Sequence, residues 1–335
     1  MALVQMAFIF MNVVAAFSSN ARTARVRATR CNACNVVQCA IVSSPERRSG
    51  LLNQPARFAW YELLTTDVEA ARAFYSKVVG WDALDASTPD LGYTVVTASE
   101  VPVGGLMDLP EEGRRLGATP RWLGYVAVDD IDATASQIRR RGGAVLLPPT
   151  DSNIGRVSVV ADPQKAAFAL VDGLTYGPRQ PGGLDELGRV GWHELLAQDR
   201  NRIFDFYGEL FGWQKDPGET DPADFYQLFS SAGQTLGGML TKLPSVPHAC
   251  WLFYFNVDDV GAAARRVNAA GGLVLQGPIE LPDDCWIVRC ADPQGALFAL
   301  EGAWDRKSVF PEISWSAKWG GISSQGRMVL AKTKR

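Results

Sequence analysis

The chain has 335 residues, of which 47% are hydrophobic and 21% charged, and a formal net charge of −3. Such a length and composition suit about two globular domains, not a disordered or collagen-like chain. Residues 1–57 carry seven Arg against Glu46, and residues 304–335 carry seven Lys and Arg against Asp305 and Glu312, so the stretch between them holds −14. An acidic body excludes nucleic acid as the main partner, because phosphate binding needs basic patches, and the basic ends read as tails.

Residues 3–17 form an apolar run that is short for a membrane span and suits a signal-peptide core. Arg22, Arg25, Arg27 and Arg30 follow, with no acidic residue before Glu46. The combination resembles a two-part plastid presequence, so residues 1–56 are expected to be an organellar, plastid-directed leader that is disordered or removed. A secretory or mitochondrial leader, or an upstream translation artefact before a cytoplasmic body, fits the same residues. Cys31 and Cys34 have the spacing of a zinc or redox pair, yet the only histidines are the distant His193 and His248.

Next comes a block written twice. Trp60, Glu62, Leu63, Leu64, Asp67, Phe74, Tyr75, Gly80 and Trp81 recur as Trp192, Glu194, Leu195, Leu196, Asp199, Phe206, Tyr207, Gly212 and Trp213, at a constant offset of 132 residues. A fixed period of this kind marks a tandem duplication. In the first copy, Ala59 to Leu64 reads as a strand and Asp67 as a helix cap. Ala71, Phe74, Tyr75 and Val78 make one apolar helix face, and Gly80 stands where a C-terminal cap belongs. Tyr93 to Thr97 and Val101 to Met107 are further strands, with Gly104-Gly105 permitting close approach and a third short strand expected.

The order then restarts. Trp122 to Val128 is a strand, and Asp129-Asp130 caps a helix with Ile131, Ala135 and Ile138 on its apolar face, ended by Gly142-Gly143. Val145 to Leu147, Val157 to Val160 and Ala167 to Val171 are strands, joined by a Pro148-Pro149 turn and by Ala161-Asp-Pro-Gln164. A Pro/Gly-rich linker follows, and the second repeat has the same grammar through Asp258-Asp259, Gly271-Gly272 and Ala291-Asp-Pro-Gln294. The domain plan is a leader over 1–56, a first domain over 57–176, a linker over 177–188, a second domain over 189–303 and a basic tail over 304–335.

A strand, an Asp-capped helix with Phe-Tyr, Gly-Trp, an Asp-Asp-capped helix, Gly-Gly and a last strand after Asp-Pro-Gln together resemble the vicinal oxygen chelate superfamily of glyoxalases, bleomycin-resistance proteins and extradiol dioxygenases. The Trp-x-Glu-Leu start is most similar to its tandem-domain, hydroxylase-like or glyoxalase-like branch. The resemblance implies an α+β fold in which each domain is two βαβββ modules forming a curved half-barrel cup. It also implies metal-ligand positions at Trp60 and Trp192, Leu123 and Leu252, and Ala169 and Ala299. None of these side chains binds a divalent cation, so no metal and no cofactor are expected.

Strand alternation fills the vacated cups. Trp60, Glu62, Leu64, Leu123, Tyr125 and Ala127 line the first, with Ala167 and Ala169 as floor. Trp192, Glu194, Leu196, Leu252, Tyr254 and Asn256 line the second, with Leu297 and Ala299. His193 points the other way, toward helix packing or an interface, and Gly155-Arg156 is expected in a loop over the first cup. Each cup is an apolar, aromatic pocket with one carboxylate, the form of a small-molecule site.

Candidate ligand-binding residues are therefore Trp60, Tyr125, Arg156, Trp192, Tyr254 and Asn256. Glu62 and Glu194 are the candidate acid or base, or else structural acceptors that fix the cup. Three functions stay open: a metal-independent protein binding an apolar or aromatic compound, a lyase-, isomerase- or hydroxylase-like enzyme using Glu62 or Glu194, and a pseudo-enzyme with packed cups. The expected partner is a small molecule, with no nucleic acid and no membrane for the mature body. The chain is expected as a monomer with its domains paired internally, or as a homodimer.

Overall fold

A computed structural model describes residues 56–305, apart from 90, 116, 177–182, 217–225, 243–245, 247 and 282–283. Residues 1–55 of the leader with its three cysteines, half of the Pro/Gly linker and nearly all of the basic tail lie outside the described residues.

Strand β1 (Phe58–Thr65) leads into helix α1 (Val68–Val78), whose N-cap Asp67 accepts from the Ala70 N–H; Gly80 follows at φ +89°. Strands β2 (Asp82–Asp85), β3 (Thr94–Ala98) and β4 (Val101–Asp108) complete the first module. After the short α2 (Glu111–Arg115), the second module runs β5 (Arg121–Ala127), α3 (Ile131–Arg140), β6 (Ala144–Ser152), β7 (Gly155–Ala161) and β8 (Ala167–Asp172). The second repeat gives β9 (Val190–Ala197), α4 (Arg200–Phe211), β10 (Gln214–Lys215), β11 (Tyr226–Ser231) and β12 (Gln234–Thr241). It continues with β13 (Cys250–Asp259), α5 (Val260–Ala269), β14 (Leu273–Glu280), β15 (Trp286–Ala291) and β16 (Leu297–Ala303).

Each repeat closes into its own eight-stranded sheet, in the orders β2-β3-β4-β1-β5-β8-β7-β6 and β10-β11-β12-β9-β13-β16-β15-β14. Modules therefore pair within a repeat, through the antiparallel contacts of β1 with β5 and of β9 with β13. The Pro148-Pro149 pair is not a turn. It lies inside edge strand β6, where the register shifts between Leu147 and Thr150, and an edge position lets a residue without an N–H stay in a sheet.

The helix-bearing faces of the two sheets pack against each other in one shared core that includes Phe74, Tyr75, Trp122, Phe168, Tyr207, Trp251 and Phe298. Crossed hydrogen bonds repeat with the pseudo-twofold symmetry of the duplication. Tyr75 donates to Asp292 Oδ2 at 3.1 Å, and Tyr207 donates to Asp162 Oδ2 at 3.0 Å. Trp81 Nε1 donates to the Gly188 carbonyl, and Trp213 Nε1 to the Ala56 carbonyl, each reaching the lead-in of the other repeat's first strand. The Gln164 side chain holds the start of α4 by accepting from the N–H groups of Gln198 and Asp199.

Candidate functional site

Alternation along β1 and β9 holds as expected. Trp60 and Leu64 join a cup-side cluster with Leu123, Tyr125 and Ala169, while Leu63 joins the core between the sheets. In the second repeat Leu252, Tyr254 and Ala299 cluster with Trp192 and Leu297. The two cups thus lie on the outward faces of the paired sheets.

In the first cup, Tyr93, just ahead of β3, donates to Glu62 Oε1 at 2.6 Å and accepts from Trp60 Nε1 at 3.0 Å. Tyr125 donates to Glu62 Oε2. Gly105 makes room for this arrangement, since a Cβ there would lie 2.1 Å from the Tyr93 hydroxyl oxygen. Burial raises the pKa of the Glu62 carboxyl, and the hydrogen bonds from Tyr125, Tyr93 and Trp60 only partly offset it. Burial and the neighbouring Glu62 also push both tyrosines well above their ordinary value. Leu147 and Val159 pack into the same cluster, and Tyr176 stacks on Trp60 with ring centroids 5.8 Å apart. Trp60 is 1% exposed and Tyr125 1%, so this cup is closed by its own side chains.

The second cup is built differently. Glu194 Oε2 accepts from Tyr254 at 2.9 Å and from Arg289 Nη2 at 2.7 Å. Arg289 also donates through Nε to the Tyr254 oxygen at 3.1 Å and through Nη1 to Gln276 Oε1 at 2.7 Å. Burial would lower the Arg289 pKa, but Glu194 and Tyr254 beside it hold it above its ordinary value. Trp192 Nε1 donates to Tyr226 at 2.8 Å, and Gly238 leaves room for that tyrosine as Gly105 does for Tyr93. Trp192, Gln276, Ile279, Leu281 and Arg289 are only half-buried.

Of the residues read from the sequence, Trp60, Glu62 and Tyr125 meet in one cup, and Trp192, Glu194 and Tyr254 in the other. Two do not belong. Arg156 lies in β7, not a loop, and its parity is opposite to that of Val157 and Val159; it pairs with Asp132 of α3 on the helix side. Asn256 donates to the carbonyls of Leu184 and Glu186, so it fastens the end of the linker to β13 and does not face a ligand.

His193 faces the interface as expected. Its Nδ1 meets the Leu236 carbonyl at 2.7 Å, and because a carbonyl only accepts, Nδ1 carries the proton; Nε2 then accepts from the Tyr61 hydroxyl at 2.7 Å. Burial lowers its pKa to about 4. Tyr93, Tyr226, Gln276 and Arg289 were missed. The available signal was one Arg in the otherwise apolar strand Trp286–Ala291, where the first repeat has Val159.

The resemblance implies a divalent cation at Trp60, Leu123 and Ala169 or their counterparts. The donor set does not fit one. Those positions offer an indole and aliphatic carbons, each nearby carboxylate is occupied by phenols or a guanidinium, and the described residues contain no cluster of three or more metal-binding side chains.

Comparison with known proteins agrees with the fold. The profile of the Glyoxalase/Bleomycin resistance protein/Dioxygenase superfamily matches residues 57–170 and 189–300. "Putative glyoxylase CFP32" of Mycobacterium bovis is 34% identical over 247 residues, which cover 72% of this chain and 92% of that protein. The anthracycline biosynthesis protein DauV of Streptomyces sp. is 31% identical over 263 residues, 73% of this chain and 93% of that protein. Among solved structures, the Mn(II)-bound glyoxalase from Novosphingobium aromaticivorans superposes with a TM-score of 0.51 at 16% identity, covering 75% of this chain and 82% of that one. The 2,2',3-trihydroxybiphenyl 1,2-dioxygenase of Sphingomonas wittichii does so with a TM-score of 0.53 at 15% identity, covering 78% and 95%.

Proposed function

This chain belongs to the Glyoxalase/Bleomycin resistance protein/Dioxygenase superfamily, and we propose that it is a metal-independent small-molecule-binding protein whose second cup takes a planar apolar or aromatic ligand. The observation that carries this reading is the half-buried Trp192 at an apolar cup with Leu252, Ile287 and Leu297, where the equivalent Trp60 is sealed beneath Tyr176. An indole can stack on planar rings, and apolar walls with few polar groups are the usual form of a ligand pocket. Metal independence is supported by the donor set, which offers no hard or borderline ligands where the superfamily would need them. The relative named for anthracycline biosynthesis makes planar aromatic compounds the first probes to try.

The experiment is equilibrium dialysis of 2-ethylnaphthalene against the full chain, with and without EDTA. Binding should be unaffected by EDTA, lost in Trp192→Ala and kept in Trp60→Ala. Binding that survives Trp192→Ala, or that needs an added divalent cation, overturns the reading. The enzymatic alternative, glyoxalase-like or hydroxylase-like chemistry through Glu62 or Glu194, is supported by the raised carboxyl of Glu62 and by the name of the mycobacterial relative. It is opposed by the sealing of Glu62 and by the anchoring of Glu194 to Arg289, which suit fixed parts of a wall better than proton carriers.

A further inference from the structure

The two sheets face each other across the pseudo-twofold axis of the duplication, and a residue that touches its own counterpart lies on such an axis. Two positions do so. Tyr61 and His193, equivalent at the offset of 132 residues, meet with 2.7 Å between the phenol oxygen and Nε2. Beside them Gly124 pairs with Tyr61 in the first sheet and Phe253 with His193 in the second, so Gly124 and Phe253 are equivalent too. They also touch, since a Cβ on Gly124 would lie 2.6 Å from Phe253 Cζ and 2.8 Å from Phe58 Cδ1. Phe58, whose counterpart is the smaller Val190, stacks on His193 with ring centroids 4.6 Å apart and stands edge-on to Phe253 at 5.7 Å.

At all three positions the repeats carry unlike residues, and like ones would not fit. Two second-repeat faces would bring Phe253 against Phe253, where the present packing has no room even for a methyl group. They would also oppose two Nε2 atoms that only accept, because each Nδ1 keeps its proton for the Leu236 carbonyl. Two first-repeat faces would put a second Phe58 ring where Val190 sits and a hole where the Phe253 ring sits. We propose that Phe58, Tyr61 and Gly124 on one face, with Val190, His193 and Phe253 on the other, form a partner-selecting surface that accepts the unlike repeat and rejects its own kind. The partner is the other repeat of the same chain, and a second copy can join only by exchanging unlike repeats.

The test is urea unfolding of the full chain. Two variants make like face like: Phe58→Val/Tyr61→His/Gly124→Phe puts the second set on both faces, and Val190→Phe/His193→Tyr/Phe253→Gly puts the first set on both. Each should lower the folding equilibrium constant by about a hundredfold or more. The chain with all six changes sets unlike against unlike again, with the roles reversed, and should be at least about tenfold more stable than either three-residue variant. A like-with-like chain as stable as the natural one overturns the inference. So does a six-residue exchange that recovers nothing.

A gentler cycle decides even if the three-residue variants do not fold. Gly124→Ala should lower the folding constant by roughly ten- to a hundredfold in the natural chain, the range for overpacking a filled core. In the Phe253→Ala chain the same change should cost less than about threefold, because the ring it strikes is gone and Phe58 has room to yield. Equal costs in the two backgrounds overturn the inference.

Discussion

The two cups occupy the same place in the same fold and begin with the same Trp-x-Glu-Leu-Leu block, yet their carboxylates live in opposite electrostatic settings. Glu62 is held by two phenols, with no cation among the described residues bonded to it, beneath a stacked Tyr176. Glu194 is held by one phenol and a guanidinium at a half-open mouth. The difference comes from two positions on the outer strands, Leu147 and Val159 in one repeat and Gln276 and Arg289 in the other. A duplicated scaffold can thus keep one cup apolar and sealed while two polar substitutions place an ion pair in the other.

The comparison breaks most visibly at Arg289. Removing one partner of a buried ion pair leaves an uncompensated charge, so Arg289→Met is expected to lower unfolding free energy by about 3 kcal/mol in urea titrations. A loss below about 1 kcal/mol would mean that Glu194 does not depend on it.

Two interface groups sharpen the comparison between repeats through pH. Burial raises the Asp162 carboxyl to about 6, so the folded chain binds this proton more tightly than the unfolded one. Its contribution is present at low pH and is lost as pH rises through about 6. Burial lowers His193 to about 4, so its contribution is present above its ordinary value and is lost as pH falls toward about 4. Each shift corresponds to about 3 kcal/mol, in opposite senses over the same window. His193→Gln should therefore unmask stability that rises on acidification from pH 6.5 to 4.5, and Asp162→Asn stability that falls. Parallel slopes in the two variants would contradict the assignment.

The smallest effect is expected in the sealed cup. The Glu62 carboxyl is already biased toward its neutral form, and the Tyr93 and Tyr125 hydroxyls can turn to serve an amide, so Glu62→Gln should change stability by about 1 kcal/mol or less. A loss as large as that of Arg289→Met would erase the distinction between the cups.

Much of this was legible in the sequence. The repeat, the caps Asp67, Asp130, Asp199 and Asp259 and the helix faces follow from local periodicity, and the inward parity of Trp60, Glu62 and Tyr125 follows from strand alternation. Arg289 and Gln276 were not legible because they reach the cup from outer strands far along the chain from the Trp-x-Glu block, and no motif marks them. Arg156 and Asn256 misled for a related reason. Parity and loop position were assigned without the register shifts and linker contacts that only a folded chain supplies.

The crossed Tyr75–Asp292 and Tyr207–Asp162 bonds have a consequence for how the molecule comes apart. The Phe-Tyr helices and Asp-Pro-Gln turns that mark each repeat as a family domain are finished only by contact with the other repeat. A half released on its own would carry a bare aromatic face, a tyrosine without its acceptor and a carboxylate whose Oδ2 had lost its donor while Oδ1 kept its own turn's N–H groups. The pair is therefore expected to melt as one unit, in a single calorimetric transition, although the sequence is written as two.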